Sequence, residues 1–202
     1  MKDKPKPRRK PGDRPRPDSE LKDSAVDVDY EIRMMILSAH DVGCGMRGSP
    51  AITLEDWRVD MAMECCLLHY RNLRAFLWPS LQGKDWVPYV DDILATDFLK
   101  KPWQEEVGDK RKIGDDKERL DQMLCHLSYN RNNLFKDTDR KNRPWSTAKM
   151  VVAMLRELDT FLAKLPVHMK PWFPYRDTTE QYRAVLEQWA KNMPARQELI
   201  EK

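Results

Sequence analysis

The stretch TLEDWRVDMAMECCLLHYRNLRAFLW, residues 53–78, decides the fold class of this chain. Its apolar side chains recur every three or four residues, which is the period of an α-helix and not of a β-strand. They form two stripes, Leu54, Trp57, Met61, Leu68 and Phe76 in one and Val59, Met63, Leu67, Tyr70 and Leu77 in the other. A helix that is apolar on two sides has to be covered on two sides, so we expect it at the centre of a bundle. Thr53 is the predicted N-cap and Pro79 the predicted stop.

The segment before this helix has the same period. Residues 23–42 are predicted to form a helix with Val26, Tyr30, Met34 and Leu37 on its main stripe, widened by Ile32, Met35, Ile36 and Ala39. Gly43 is a plausible helix stop, because glycine readily takes the left-handed conformation that ends many helices.

Further helices are predicted downstream over residues 115–133, 147–165 and 179–192, with a short one over 90–99. No alternating strand pattern is convincing anywhere in the chain. The sequence therefore predicts an all-α bundle of four to five main helices.

The first twenty residues differ in composition from the rest. They hold eight Lys or Arg, four Asp or Glu and five Pro, so this stretch carries a charge of +4 while the other 182 residues carry −1. We predict a disordered basic tail over residues 1–22, a helical bundle over 23–165, and an aromatic connector with a last helix over 166–202. Because the bundle is not uniformly basic, any nucleic-acid binding must come from a local patch or from the tail.

One pair of residues in the predicted helix 115–133 could carry chemistry. Arg119 and His126 are seven positions apart, which places them on one helix face about 10 Å apart along the axis. An imidazole that titrates near neutral pH and a fixed cation are a proton shuttle and a charge stabiliser. These are the two parts needed to cleave RNA without a metal. The spacing alone also suits a solvated Arg and a packed His.

The surrounding pattern resembles the HEPN superfamily, whose helical bundles carry an R-x(4–6)-H motif. It resembles in particular a group of bacterial HEPN-like proteins that combine three segments in order. Here these are residues 69–73 (HYRNL), residues 91–98 followed by Trp103, and residues 119–131, which contain an R-x6-H motif. The resemblance covers about residues 54–165 and implies a HEPN-like bundle.

The resemblance also implies an activity, since many HEPN proteins are metal-independent endoribonucleases that act as homodimers. His126 would then be the acid or base and Arg119 the stabiliser of the phosphorane. Tyr129, Arg131, His69, Arg71 and Asn72 are candidate substrate-binding residues. The implied partners are RNA, a second copy, and an antitoxin or other protein of a toxin or phage-defence system.

Two alternatives stay open. Active members of the superfamily usually place Asn, Asp or His directly after the motif Arg, whereas this chain has Leu120, which favours a non-catalytic module that binds RNA or protein. The second alternative is an assembly subunit that uses the aromatic region 172–189 as its interface. The polar residues His69, Arg71 and Asn72 could equally serve the structure by satisfying buried groups.

Other site classes have little support in the sequence. Cys65, Cys66 and His69 lack a nearby fourth zinc ligand, so we expect no metal, no cofactor and inert core thiols. The loop 43–48 reads G-x-G-x-x-G but lacks the strand and helix that a dinucleotide site needs. With no apolar run of about 20 residues and no signal peptide, we expect a cytoplasmic protein without a membrane span.

Overall fold

The computed structural model describes residues 16–48, 57–78, 88–99, 103 and 147–192. In these ranges the chain is an all-α bundle with four long helices: α1 (Asp18–Gly48), α2 (Trp57–Leu77), α3 (Thr147–Lys164) and α4 (Tyr175–Asn192). Short 3₁₀ helices lie at Ala95–Phe98 and Val167–Trp172. Helix α1 packs against each of the other three long helices. No helix in the described ranges combines the length and apolar character that crossing a bilayer requires.

Helix α1 begins five residues earlier than predicted. Its first turn contains Asp18 and Glu20, which suit the positive end of the helix dipole. Leu21 is 2% exposed and belongs to the core. Arg16, just before the helix, lies 2.6 Å from the Val90 carbonyl oxygen. The predicted tail boundary at residue 22 is therefore too late, because α1 begins at Asp18 and both Arg16 and Leu21 contact the bundle; residues 1–15 lie outside the described ranges.

The buried face of α1 is not the stripe that the sequence put first. Val26 is 60% and Tyr30 52% exposed, and Met34 and Leu37 are half-buried. The core is formed by the residues that were expected only to widen that stripe, together with four others: Leu21, Ala25, Val28, Ile32, Met35, Ile36, Ala39 and Val42. The two sets are adjacent on the helix, so spacing alone could not choose between them.

Gly43 does not end α1. The helix continues to Gly48, and a Cβ atom at position 43 would lie 1.9 Å from Cζ3 of Trp189. The absence of a side chain at Gly43 therefore lets the indole of α4 approach the α1 backbone. The same indole stacks on His40, with ring centroids 5.5 Å apart.

Helix α2 ends at Leu77, two residues before the predicted stop at Pro79. Leu67, Tyr70, Phe76 and Leu77 are buried, whereas Met61 is 59% and Leu68 43% exposed. Among the described residues, the two apolar stripes of α2 are therefore only partly covered by other elements. The predicted N-cap, Thr53, lies outside the described ranges.

An aromatic cluster joins α2, α3 and the two 3₁₀ segments. Phe161 of α3 is fully buried and makes edge-to-face contacts with Phe76 at 5.3 Å and with Phe173 at 5.6 Å. Phe98 and Trp103 close the cluster, each within about 6 Å of Phe161 between ring centroids. Where a short helix was predicted over 90–99, only Ala95–Phe98 is helical, as a 3₁₀ turn.

The C-terminal aromatic region belongs to the same core. Phe173, Tyr175, Leu186 and Trp189 are all less than 8% exposed. The idea that the region 172–189 is an assembly interface is therefore wrong for these side chains, since they pack within their own chain. Helix α3 matches its predicted range within one residue, while α4 begins four residues early, at Tyr175.

Candidate functional site

The predicted catalytic pair, Arg119 and His126, lies outside the described residues, as do Tyr129 and Arg131. Of the seven site residues predicted from the sequence, the structure describes His69, Arg71 and Asn72, all on α2.

His69 and Asn72 converge on one carboxylate of α1. The Nδ1 atom of His69 lies 2.7 Å from Oε2 of Glu31, and Nδ2 of Asn72 donates to the same oxygen at 3.0 Å. Positions 69 and 72 are one helical turn apart, so both side chains project toward α1. An ionised carboxylate oxygen only accepts hydrogen bonds, so the donor opposite an ionised Glu31 is the Nδ1–H of His69.

The exposure of these residues separates their possible roles. His69 is 6% exposed, and the ring of Tyr30 covers it edge-on with centroids 5.7 Å apart. Asn72 and Tyr30 are exposed and Arg71 is half-buried. His69 therefore links the two helices, and Asn72 is the most exposed of the three described candidates.

The buried carboxylate of Asp29 on α1 contacts the start of α4. Asp29 is 1% exposed; its Oδ1 accepts the backbone N–H of Tyr175 at 2.7 Å, and its Oδ2 forms an ion pair with Arg33 at 2.7 Å. Burial raises the pKa of Asp29, and the Tyr175 N–H and Arg33 only partly oppose that rise. Because one oxygen accepts the Tyr175 N–H and the other pairs with Arg33, Asp29 is a structural group.

A third cluster ties α3 to α4. The guanidinium of Arg183 binds both oxygens of Asp159, at 3.0 and 2.6 Å, and Arg176 binds the same carboxylate. Burial alone would raise the pKa of Asp159, but hydrogen bonds from Arg183 and Arg176 outweigh it and the pKa is lowered. Arg183 also donates from Nε to Glu187 at 3.0 Å.

Next to this cluster, the surface between α3 and α4 forms a groove of about 450 Å³. Its lining combines three cationic side chains, one carboxylate and three small apolar ones: Lys149, Arg156, Lys191, Glu187, Val152, Ala153 and Ala190. We call this the α3–α4 groove. It can take a small or extended anionic ligand, since such volumes are typical of ligand sites, roughly 300–1,000 Å³.

The cysteines were considered above as metal ligands and as reactive thiols, and the structure describes three of them. Among the described residues no group of three or more His, Cys, Asp or Glu side chains is placed to hold a metal ion. Cys66 is buried, and burial, with a smaller effect of Cys65, raises its pKa to about 12, as expected for an inert core thiol. Cys44 is exposed with its Sγ 3.6 Å from Nε2 of His40, and Cys125 lies outside the described ranges.

Sequence reasoning missed Glu31 and the α3–α4 groove. The partner of His69 is 38 residues away, so no local pattern reveals it. The groove had a readable signal, because Lys149 and Arg156 lie seven positions apart and Glu187 and Lys191 four apart, each pair on one helix face.

No protein-family model matches the chain, and no curated protein or solved structure matches it either.

Proposed function

We propose that this protein is a metal-independent endoribonuclease of the HEPN type that acts as a homodimer in the cytoplasm, of the toxin or phage-defence kind. The observation that carries the proposal is the sequence pair Arg119 and His126, in an all-α chain that also has the two other segments of the pattern in order. Two other parts of that sequence pattern lie within the described residues. Trp103 is a buried part of the core, and His69 and Asn72 form one polar cluster with Glu31.

The chemistry follows from the two side chains. His126 takes the proton from a ribose 2′-hydroxyl, the 2′-oxygen attacks phosphorus, and the bond from phosphorus to the 5′-oxygen breaks. A protonated His126, in this proposal from the second copy, gives the leaving 5′-oxygen its proton. Arg119 stabilises the negative charge of the phosphorane. The products are a 2′,3′-cyclic phosphate and a 5′-hydroxyl.

The test is cleavage of labelled RNAs in EDTA by the full-length chain and by His126→Ala and Arg119→Ala. His168→Ala is the matched control, because His168 is an exposed histidine in the 3₁₀ helix 167–172. We expect the motif variants to lose roughly 10²–10⁴-fold in rate and the control to lose nothing. Diverse RNAs left intact by the wild type, or equal cleavage by His126→Ala, would overturn the proposal.

Leu120 favours one further candidate, a non-catalytic HEPN-like module that binds RNA or a partner protein. Such a module lacks the polar helper that usually follows the motif Arg. It would bind RNA in a salt-dependent way, without cleavage and with the same affinity in His126→Ala.

A further inference from the structure

We infer that the α3–α4 groove binds the phosphates of single-stranded RNA. The choice of RNA as the polymer rests on the proposed function, whereas the phosphate chemistry follows from the groove itself. None of its lining residues belongs to the predicted motif helix.

The charge of the groove selects an anion. Lys149, Arg156 and Lys191 face it, against the single carboxylate of Glu187. That carboxylate is already bound by Arg183, whose Nε lies 3.0 Å from its Oε1. Within this described lining, Arg156 and Lys191 are therefore opposed by a carboxylate that already pairs with Arg183. Lys and Arg are the side chains that bind phosphate oxygens most often.

The spacing of the cations suits an extended ligand. Lys149 and Arg156 stand two turns apart on α3, or about 10 Å along its axis. An extended strand that runs along α3 can offer each of the two cations its own phosphate. Lys191 of α4 borders the same groove.

The apolar part of the groove lining indicates which part of an RNA would be bound. Val152, Ala153 and Ala190 are small and apolar, and no described lining residue is aromatic. Stacking of bases on aromatic rings, a main source of affinity in many single-strand sites, is absent from this described lining. We therefore expect binding through the backbone, with a strong salt dependence and little preference for sequence.

The experiment uses the full-length chain with His126→Ala, so that a fluorescently labelled single-stranded RNA stays intact, and follows anisotropy at several salt concentrations. The groove variant carries Arg156→Glu and Lys191→Glu. The matched control carries Lys22→Glu and Lys170→Glu, which make the same change in net charge at two exposed positions outside the groove. Circular dichroism checks that both variants keep their helices.

We expect the groove variant to bind RNA roughly tenfold or more weakly, with a salt slope smaller by about 1.4, or about 0.7 for each of two lost phosphate contacts. The control should bind within about twofold of the parent. Equal losses in the two variants, or no loss in the groove variant, would overturn the inference, because binding would then depend on net charge or on another surface such as residues 1–15. A free mononucleotide or a polyglutamate peptide that competes as well as the RNA would overturn it too.

The two proposals fail in different ways. If the wild type never cuts RNA but the groove variant alone loses binding, the nuclease proposal fails and the groove stands. If cleavage depends on His126 while the groove variant binds and cuts like the wild type, the groove fails and the nuclease stands.

Discussion

The carboxylate of Asp29 in α1 accepts a hydrogen bond of 2.7 Å from the backbone N–H of Tyr175, the first residue of α4. The first N–H groups of a helix have no partner within it, and a negative charge there also suits the helix dipole. The start of α4 is thus capped by a side chain of α1, 146 residues earlier.

Replacing Asp29 tests the value of this cap. We expect Asp29→Ala to lower the free energy of unfolding by about 1–3 kcal/mol, because it leaves a buried N–H without an acceptor. Asp29→Asn should cost less, since its amide oxygen can still accept that bond and no charge is buried. Urea denaturation of the two variants measures the two losses. If Asp29→Asn is as unstable as Asp29→Ala, the lost hydrogen bond does not explain the loss of stability.

The contact between Gly43 and Trp189 gives a second prediction. Gly43→Ala places a methyl group where the indole lies, so we expect a loss of about 1–3 kcal/mol from overpacking. A smaller side chain at position 189 would make room for that methyl. In a double-mutant cycle, Trp189→Leu should therefore cost less in the Gly43→Ala background than in the wild type. Additive losses would mean that positions 43 and 189 do not interact energetically.

Glu31 gives a third prediction, which separates structure from binding. Glu31→Ala removes the acceptor shared by His69 and Asn72, and because His69 is buried we expect a loss of about 1–3 kcal/mol. Glu31→Gln keeps an oxygen acceptor and should lose less. Glu180→Ala, at an exposed position of α4, is the control and should change stability by about 0.5 kcal/mol or less. Thermal unfolding of the three variants checks the order.

The pH dependence of stability should report on Asp159. Its pKa in the folded chain is below its ordinary value of 3.8, so the unfolded chain binds this proton more tightly. The ion pairs with Arg183 and Arg176 thus stabilise the fold above about pH 4, and this contribution is lost as the pH falls through the lowered pKa. Asp159→Asn should be less stable than the wild type near neutral pH, with the gap narrowing in acid. A gap that does not change with pH would contradict this.

The thiols should differ in reactivity. Cys66, with a pKa raised to about 12, holds almost no thiolate near neutral pH, whereas Cys44 is exposed. We expect iodoacetamide to modify Cys44 in the folded protein and Cys66 only after urea is added, as peptide mass spectrometry would show. Equal rates for the two thiols in the folded protein would contradict the burial of Cys66.

Much of the fold was predictable because it is local. The apolar period of residues 147–165 predicted α3 almost to the residue. Its one stripe is buried throughout and consists of Val151, Met154, Leu155, Leu158, Phe161 and Leu162. In α1 the period was found but the wrong face was chosen, because two adjacent stripes were both apolar. The stop predicted at Gly43 was wrong for a different reason: its partner, Trp189, is distant in sequence.

The site was less predictable than the fold. The polarity of His69 and Asn72 within an apolar helix marked them as residues that need partners, but the partner, Glu31, lies on another helix. Arg119 and His126 lie outside the described residues, so their shared face stays a prediction.

The cap from Asp29 to Tyr175 also has a consequence for biosynthesis. A ribosome makes α1 first and reaches its capping partner 146 residues later, roughly 7–30 s at ordinary elongation rates. During that interval the side of α1 that Trp189 later covers faces water or a chaperone. A message cut short before α4 is translated yields a chain in which α1 never gains its contacts with α4, and such an incomplete chain is a substrate for aggregation or proteolysis.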